Sequence, residues 1–212
     1  MKKKIVIIGG GIAGLSAGIY SAMNGFETEI LEMHNVAGGQ CTAWERKKYR
    51  FDYCLHWLVG TSKGAFHEIW KETNVLNNDT EIINHEIHSK IFDEDRNEFI
   101  IYSNIDRWEK YLIEMAPEDE ISIRKMCNDM RKSSLLEPFA TPPELRSVLD
   151  YIKMLPKMLP VLNVIRKFGR LTCKEYFDKM NFKNKKIKYV FDTMYGERNF
   201  SALAFIFMLG WF

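Results

Sequence analysis

The sequence predicts an α/β chain: a βαβ unit at the N-terminus, followed by a mixed α+β, largely helical region. Two observations predict it. Residues 4–8 form a short β-branched run, Lys-Ile-Val-Ile-Ile, of the kind that makes a buried parallel strand, and a glycine-rich turn and a helical pattern follow at once. Beyond residue 81 the period changes, first to strand-like alternation and then to proline-punctuated helices. The two regions are assigned to residues 1–75 and 76–212.

In order along the chain, strand 4–8 leads through Gly9–Gly14 into a helix over 13–24, whose apolar stripe is Leu15, Ile19, Ala22 and Met23 and which Gly25 ends. A second strand over 28–32 completes the βαβ unit. A loop with Gly38 and Gly39 comes next, then a short strand over 49–52 and a helix over 63–73. Ile82-Ile83, Ile87, Ile91-Phe92 and the run 99–102 predict a hairpin turned at 93–97. Helices are expected over 106–115, 142–158, 172–180 and 185–194, with one more opened by Pro117 and the acids Glu118, Asp119 and Glu120 near the positive end of its dipole. Pro138, Pro142 and Pro143 break the chain between them.

Composition narrows the function classes. With 46% hydrophobic residues, 27% charged and a net charge of +2, the chain is neither a disordered tail nor globally drawn to nucleic acid. Lys2 to Lys4 read as a solvated lead-in to the strand, because the apolar run behind them breaks immediately into glycine, unlike a signal peptide. Cys41, Cys54, Cys127 and Cys173 lack the spacing of a zinc site, so no metal is expected, and free buried thiols in a reducing cytoplasm are the reading. The apolar run 201–212 is too short to span a bilayer. Residues 151–190 hold 11 bases against 2 acids among many apolar side chains. That stretch reads as a solvated lysine-rich face or as a peripheral contact with an anionic membrane, the solvated face being preferred.

The chemistry-bearing constellation is Gly9-x-Gly11-x-x-Gly14 between strand and helix. Gly9 permits the tight turn, Gly11 lets a pyrophosphate approach the backbone, and Gly14 lets the helix pack close to the sheet. The N–H groups around Ile12 and Ala13 then meet the phosphates, helped by the helix dipole. Glu32, followed by Met33, ends the second strand 18 residues after Gly14, where a carboxylate can accept from both ribose hydroxyls and would repel a 2′-phosphate. The predicted ligand is therefore FAD or NAD rather than NADP. A second pair, Gly38-Gly39, follows at Glu32-x5-Gly38-Gly39 with Gln40 behind it. Two glycines so placed resemble the flavoproteins of the glutathione-reductase-like and amine-oxidase-like folds, which implies FAD. Cys41 has no Cys partner five residues on, where Arg46 stands, so the redox disulfide of the disulfide reductases is absent, and Cys41 is structural or lines the flavin.

Gly38-Gly39-x-Cys41-x-x-Trp44, then Phe51-Asp52, His56-Trp57 and Gly60, resemble the phytoene desaturase-like family, which includes retinol saturase-like enzymes. The resemblance covers the first 60 residues, with support at Asp106-Arg107-Trp108, at Ala116 to Asp119 and over 200–212. It implies a Rossmann-like, glutathione-reductase-like FAD fold with a partial substrate domain. It also implies an FAD-dependent, desaturase- or saturase-type oxidoreductase acting on carbon–carbon bonds of an apolar isoprenoid- or lipid-like molecule. Family members often carry Gly-Gly-Arg where this chain has Gln40, and they continue into a second glycine-containing FAD segment, so the sequence reads as a truncated member. His56 is the candidate catalytic residue by the same resemblance, as proton donor or substrate orienter, with a packed loop histidine as the alternative. The aromatics of 200–212 line either a substrate channel or an ordinary core. Two rival readings stand beside the first: a non-catalytic remnant that keeps the nucleotide-binding unit, and an NAD-dependent dehydrogenase.

Overall fold

The computed structural model describes residues 3–55, 57–136, 141–196 and 199–211. The chain divides into two compact units, Met1–Ile82 and Ile83–Phe212.

In the first unit, β1 (Lys4–Ile8) and β2 (Glu27–Leu31) pair in parallel, Ile5 opposite Thr28 and Ile7 opposite Ile30, joined by helix α1 (Ile12–Met23). The helix lies against the strand face that carries Ile7 and Ile30, and it does so through its small residues. A side chain at Gly18 would come within 2.7 Å of the Ile30 side chain. The stripe expected to pack, Leu15, Ile19, Ala22 and Met23, therefore needs correcting: Ile19 and Met23 are exposed, and the packed face is the glycine face. Close helix–strand approach won over burial of the larger side chains.

A hairpin follows, β3 (Ala43–Arg46) against β4 (Tyr49–Asp52), turned at Lys47 and Lys48, which both take positive φ (50° and 70°). This is the backbone of a two-residue hairpin turn, built without the usual glycine or asparagine. Helix α2 (Ala65–Glu72) closes the unit, with Trp70 Nε1 donating to the Val59 carbonyl at 2.8 Å.

The second unit opens with the hairpin β5 (Ile87–Phe92) and β6 (Glu98–Tyr102), and continues through α3 (Ile105–Met115), α4 (Glu120–Ser133), α5 (Val148–Phe168), α6 (Cys173–Met180), α7 (Lys185–Phe191) and α8 (Ala202–Gly210). Its core is aromatic: Phe177 stacks on Phe191 at 4.5 Å between centroids, and Phe205 meets both edge-on. Trp108, Tyr176, Phe191 and Phe205 are fully buried. The apolar run near the C-terminus is thus a core helix, α8, pinned to α4 where Ser133 Oγ donates to the Ile206 carbonyl at 3.1 Å. Buried Asp119 accepts from the backbone N–H groups of Lys183 and Asn184, both at 2.8 Å, and so fixes the start of α7.

Three further expectations need correcting. The helix expected to stop at residue 158 starts at Val148, behind a Ser147/Asp150 capping box, and continues through Pro156 and Pro160 to Phe168. Each proline removes one N–H bond, but residues 151–160 are exposed or half-buried, so water can reach the carbonyls left without a partner. The helix expected over 185–194 ends at Phe191 and passes into a π turn. Of the thiols expected to be buried, Cys127 and Cys173 are, whereas Cys41 is half-buried and Cys54 exposed.

Candidate dinucleotide site

After Ile8 the backbone turns at Gly9, whose φ of +102° suits glycine and whose N–H donates to the Leu31 carbonyl at 2.7 Å, tying the turn to the end of β2. Gly14 is required by the fold itself: a Cβ there would lie 1.9 Å from the Gly9 carbonyl oxygen. Gly11 differs. Its φ of −75° and ψ of −179° are open to any residue, and a Cβ would meet only the Gly39 Cα, at 3.9 Å. Nothing in the described residues requires glycine there, so the space it leaves is available to a ligand. Helix α1 starts at this point with no side-chain cap and no acid in its first turn. The N–H groups of Ile12 and Ala13 have no intrahelical partner, and the positive end of the dipole is uncompensated.

Glu32 stands just past β2. Its Oε2 accepts from the Gly10 N–H at 2.5 Å and its Oε1 from the His34 N–H at 2.8 Å. These bonds, His34 first and Gly10 second, hold the carboxyl below the usual carboxylate range and keep it ionised. Each oxygen keeps lone-pair capacity for a ligand hydroxyl. Gly10 is the residue that motif spacing missed. It is buried, and a Cβ on it would lie 3.1 Å from Oε2 and 3.3 Å from the Glu32 Cβ. The signal was present in the unbroken Gly9-Gly10-Gly11 run, but its meaning depends on a contact 22 residues away.

The second glycine pair is bonded to the first. The Gly38 N–H donates to the Gly10 carbonyl at 2.7 Å, and Gly39 (φ +58°) would place a Cβ 3.1 Å from the Gly11 Cα. A side chain at 39 would drive the two loops apart. Gly39, Gln40 and Cys41 form one 3-10 turn, and beside it opens a pocket of about 650 Å³ lined by His34, Val36, Gly39, Gln40, Thr42 and Trp44 among others, with Trp44 stacked on Phe51.

Of the residues singled out in the sequence, Gly9, Gly11, Glu32, Gly38 and Gly39 are therefore gathered at the N-terminal turn of α1, with Ile12 and Ala13 opening that helix and Gly14 seating it. Gln40 lines the adjoining pocket, and Met33 is fully exposed, with only its backbone N–H acting toward Glu32. His56 lies outside the described residues. Among the described residues no three His, Cys, Asp or Glu side chains come together to hold a metal ion.

Residues 7–73 match the model of the NAD(P)-binding Rossmann-like domain. The chain is 28% identical over 112 residues to a phytoene desaturase of Fusarium fujikuroi, covering 52% of this chain and 19% of that protein. It is 41% identical over 51 residues to the 4,4'-diaponeurosporene oxygenase of Staphylococcus haemolyticus, covering 24% and 10%. It is 27% identical over 179 residues to the human all-trans-retinol 13,14-reductase, covering 81% and 27%. The matches thus span between a tenth and about a quarter of these relatives' own lengths. Residues 7–73 thus carry a Rossmann-like dinucleotide-binding domain, and over part of its length the chain is similar to proteins named phytoene desaturase, diaponeurosporene oxygenase and retinol reductase.

Proposed function

We propose that residues 1–82 hold FAD in a glutathione-reductase-like manner, as part of a desaturase- or saturase-type oxidoreductase that acts on carbon–carbon bonds of an apolar isoprenoid- or lipid-like molecule. The observation that carries the cofactor reading is the space at Gly11, which the fold does not need, facing the uncapped start of α1 and beside an ionised Glu32. In this reading the N–H groups of Ile12 and Ala13 hold the pyrophosphate, and Gly11 lets it close on the backbone. Glu32 accepts from the ribose hydroxyls, and its charge disfavours a 2′-phosphate. The Gly38-Gly39 pair favours FAD over NAD, because it keeps a second stretch of side-chain-free backbone against the first. When bound, FAD supplies a centre that accepts or donates hydride, so the chain's own task is to orient and electrostatically support it. The substrate class rests on the relatives, named for phytoene, diaponeurosporene and retinol. His56 is carried as the candidate proton donor by family resemblance alone.

Calorimetric titrations with FAD, NAD and NADP side by side test this reading. Saturable binding of FAD, with NAD weaker and NADP weakest, is expected. Preference for NAD would replace it with a dehydrogenase, weak FAD binding without turnover would favour a non-catalytic remnant, and absence of binding to all three would overturn the cofactor reading.

A further inference from the structure

Hairpin β3–β4 is short and open. Each strand has four residues, and all four of β4 are exposed. A two-stranded hairpin is marginal on its own in water, and this one turns on two lysines of positive φ. The ladder sets Arg46 opposite Tyr49 and Ala43 opposite Asp52. The Tyr53 N–H donates to the Thr42 carbonyl at 3.1 Å, which extends it by one pair. The next position in the same register sets Cys41 opposite Cys54. Cys41 ends the turn Gly39–Cys41, and Thr42, extended at φ −74° and ψ 154°, leads from it into the ladder. Antiparallel pairs alternate between hydrogen-bonded and non-hydrogen-bonded kinds, and position 41–54 follows the bonded 42–53. In a regular ladder such a non-bonded pair has its side chains on one face and its Cα atoms about 4.5 Å apart. A disulfide bridges Cα atoms about 4.4–6.8 Å apart.

Cys41 and Cys54 are both free thiols, Cys41 half-buried and Cys54 exposed. An exposed free cysteine invites oxidation and disulfide exchange. Cys127 and Cys173 are fully buried in the core of the second unit, so Cys41 is the partner that the hairpin register offers to Cys54. We infer that Cys41 and Cys54 form a dithiol modification site, which oxidation closes into a cross-strand disulfide that clasps the open end of the hairpin. The oxidant is a low-molecular-weight disulfide. The exposed Cys54 thiolate attacks one of its sulfurs, giving a mixed disulfide and releasing one small thiol. The Cys41 thiolate then attacks Cys54 Sγ; the S–S bond within the chain forms as the mixed one breaks, and a second small thiol leaves. The two cysteines together lose two protons and two electrons, which the small disulfide takes up in becoming two thiols. Excess small thiol drives the same steps backwards. The inference stands on the hairpin register and is independent of the cofactor reading.

Incubation of the full chain with oxidised glutathione, an acid quench, alkylation of the remaining thiols and tryptic mass mapping test it. Arg46, Lys47, Lys48 and Arg50 lie between the two cysteines, so a 41–54 disulfide gives two peptides joined through sulfur. That linked pair is expected at the mass of one chain on a non-reducing gel, and excess reduced glutathione should remove it. In Cys41→Ser the reaction should stop at the glutathione adduct of Cys54, at about tenfold or more the level that the parent retains. A parent that stops at the same adduct overturns the inference. So does a Cys54 that stays unmodified, or one that links only to Cys54 of a second copy. Circular dichroism checks that Cys41→Ser is folded, and the peptide map of the parent decides if it is not.

Discussion

Gly11 and Gly14 are three residues apart in one motif, and the structure gives alanine opposite consequences at the two positions. At Gly14 a methyl group would sit 1.9 Å from the Gly9 carbonyl oxygen, about 1.5 Å inside ordinary contact, and the atom it meets is backbone. Helix propensity pulls the other way, since alanine in a helix interior is favoured over glycine by about 1 kcal/mol. Overpacking of a closed contact costs about 1–3 kcal/mol, and more where backbone must move. A clash this deep belongs at the upper end, so Gly14→Ala should lose about 1–2 kcal/mol net. For a unit of this size, that is a fall of roughly 5–15 °C in its unfolding midpoint. At Gly11 the backbone suits alanine and the nearest atom is 3.9 Å away. The unfolded chain loses freedom, so Gly11→Ala should be neutral or stabilising by up to about 1 kcal/mol. Its methyl group nevertheless occupies the space assigned to the pyrophosphate, and FAD affinity should fall by about tenfold or more, a loss of about 1.4 kcal/mol. Thermal unfolding and FAD titration of both variants give the four numbers needed. A Gly11→Ala protein that binds FAD as the parent does refutes the phosphate site. A Gly14→Ala protein as stable as the parent refutes the packing argument.

Further outcomes follow from buried groups. Asp129 is buried, its Oδ2 has no hydrogen-bond partner, and desolvation raises its pKa. A raised carboxyl costs nothing while protonated in both states and penalises the fold as pH rises through its range. Asp129→Asn should therefore raise the urea midpoint at neutral pH, the gain vanishing below the ordinary carboxylate range; a gain that persists there contradicts the assignment. Asp119→Ala leaves two backbone N–H groups of the α7 start without their acceptor and should cost about 2–4 kcal/mol in denaturant unfolding. Burial pushes the Cys127 and Cys173 thiols up to about 12, so a thiol reagent should label exposed Cys54 in the native protein and reach those two only on unfolding. Bonds from His34 and Gly10 lower the Glu32 carboxyl. The stability it lends is present above the carboxylate's unfolded value and is lost as pH falls through the lowered folded one, a loss that Glu32→Gln should abolish in an acid titration.

Much of the site was legible because its signals are local. Gly9-x-Gly11-x-x-Gly14 lies between its strand and helix within one βαβ unit, and strand 4–8 and the turn at 93–97 were marked by composition alone. What escaped depends on contacts between distant residues or on turns without their usual residues. Gly10 matters through Glu32, which only the pairing of β1 and β2 brings to it. Strand β3 was hidden because Lys47-Lys48 makes a turn usually given by Asn-Gly. Pro156 and Pro160 suggested a break, yet α5 runs on where its surface lets water reach the unpaired carbonyls. The apolar stripe of α1 pointed to the wrong face, because the sheet is met by glycines rather than by leucine and isoleucine.

Occupation by FAD of the turn shared by the two glycine pairs and Glu32 is read residue by residue from amide chemical shifts recorded while FAD is titrated into the isotope-labelled chain. Saturable changes are expected at Gly9 to Gly14, at Glu32 to His34 and at Gly38 to Gln40, with the amides of Ile12 and Ala13 moving most. Changes centred elsewhere, or none at those positions under saturating FAD, would contradict it.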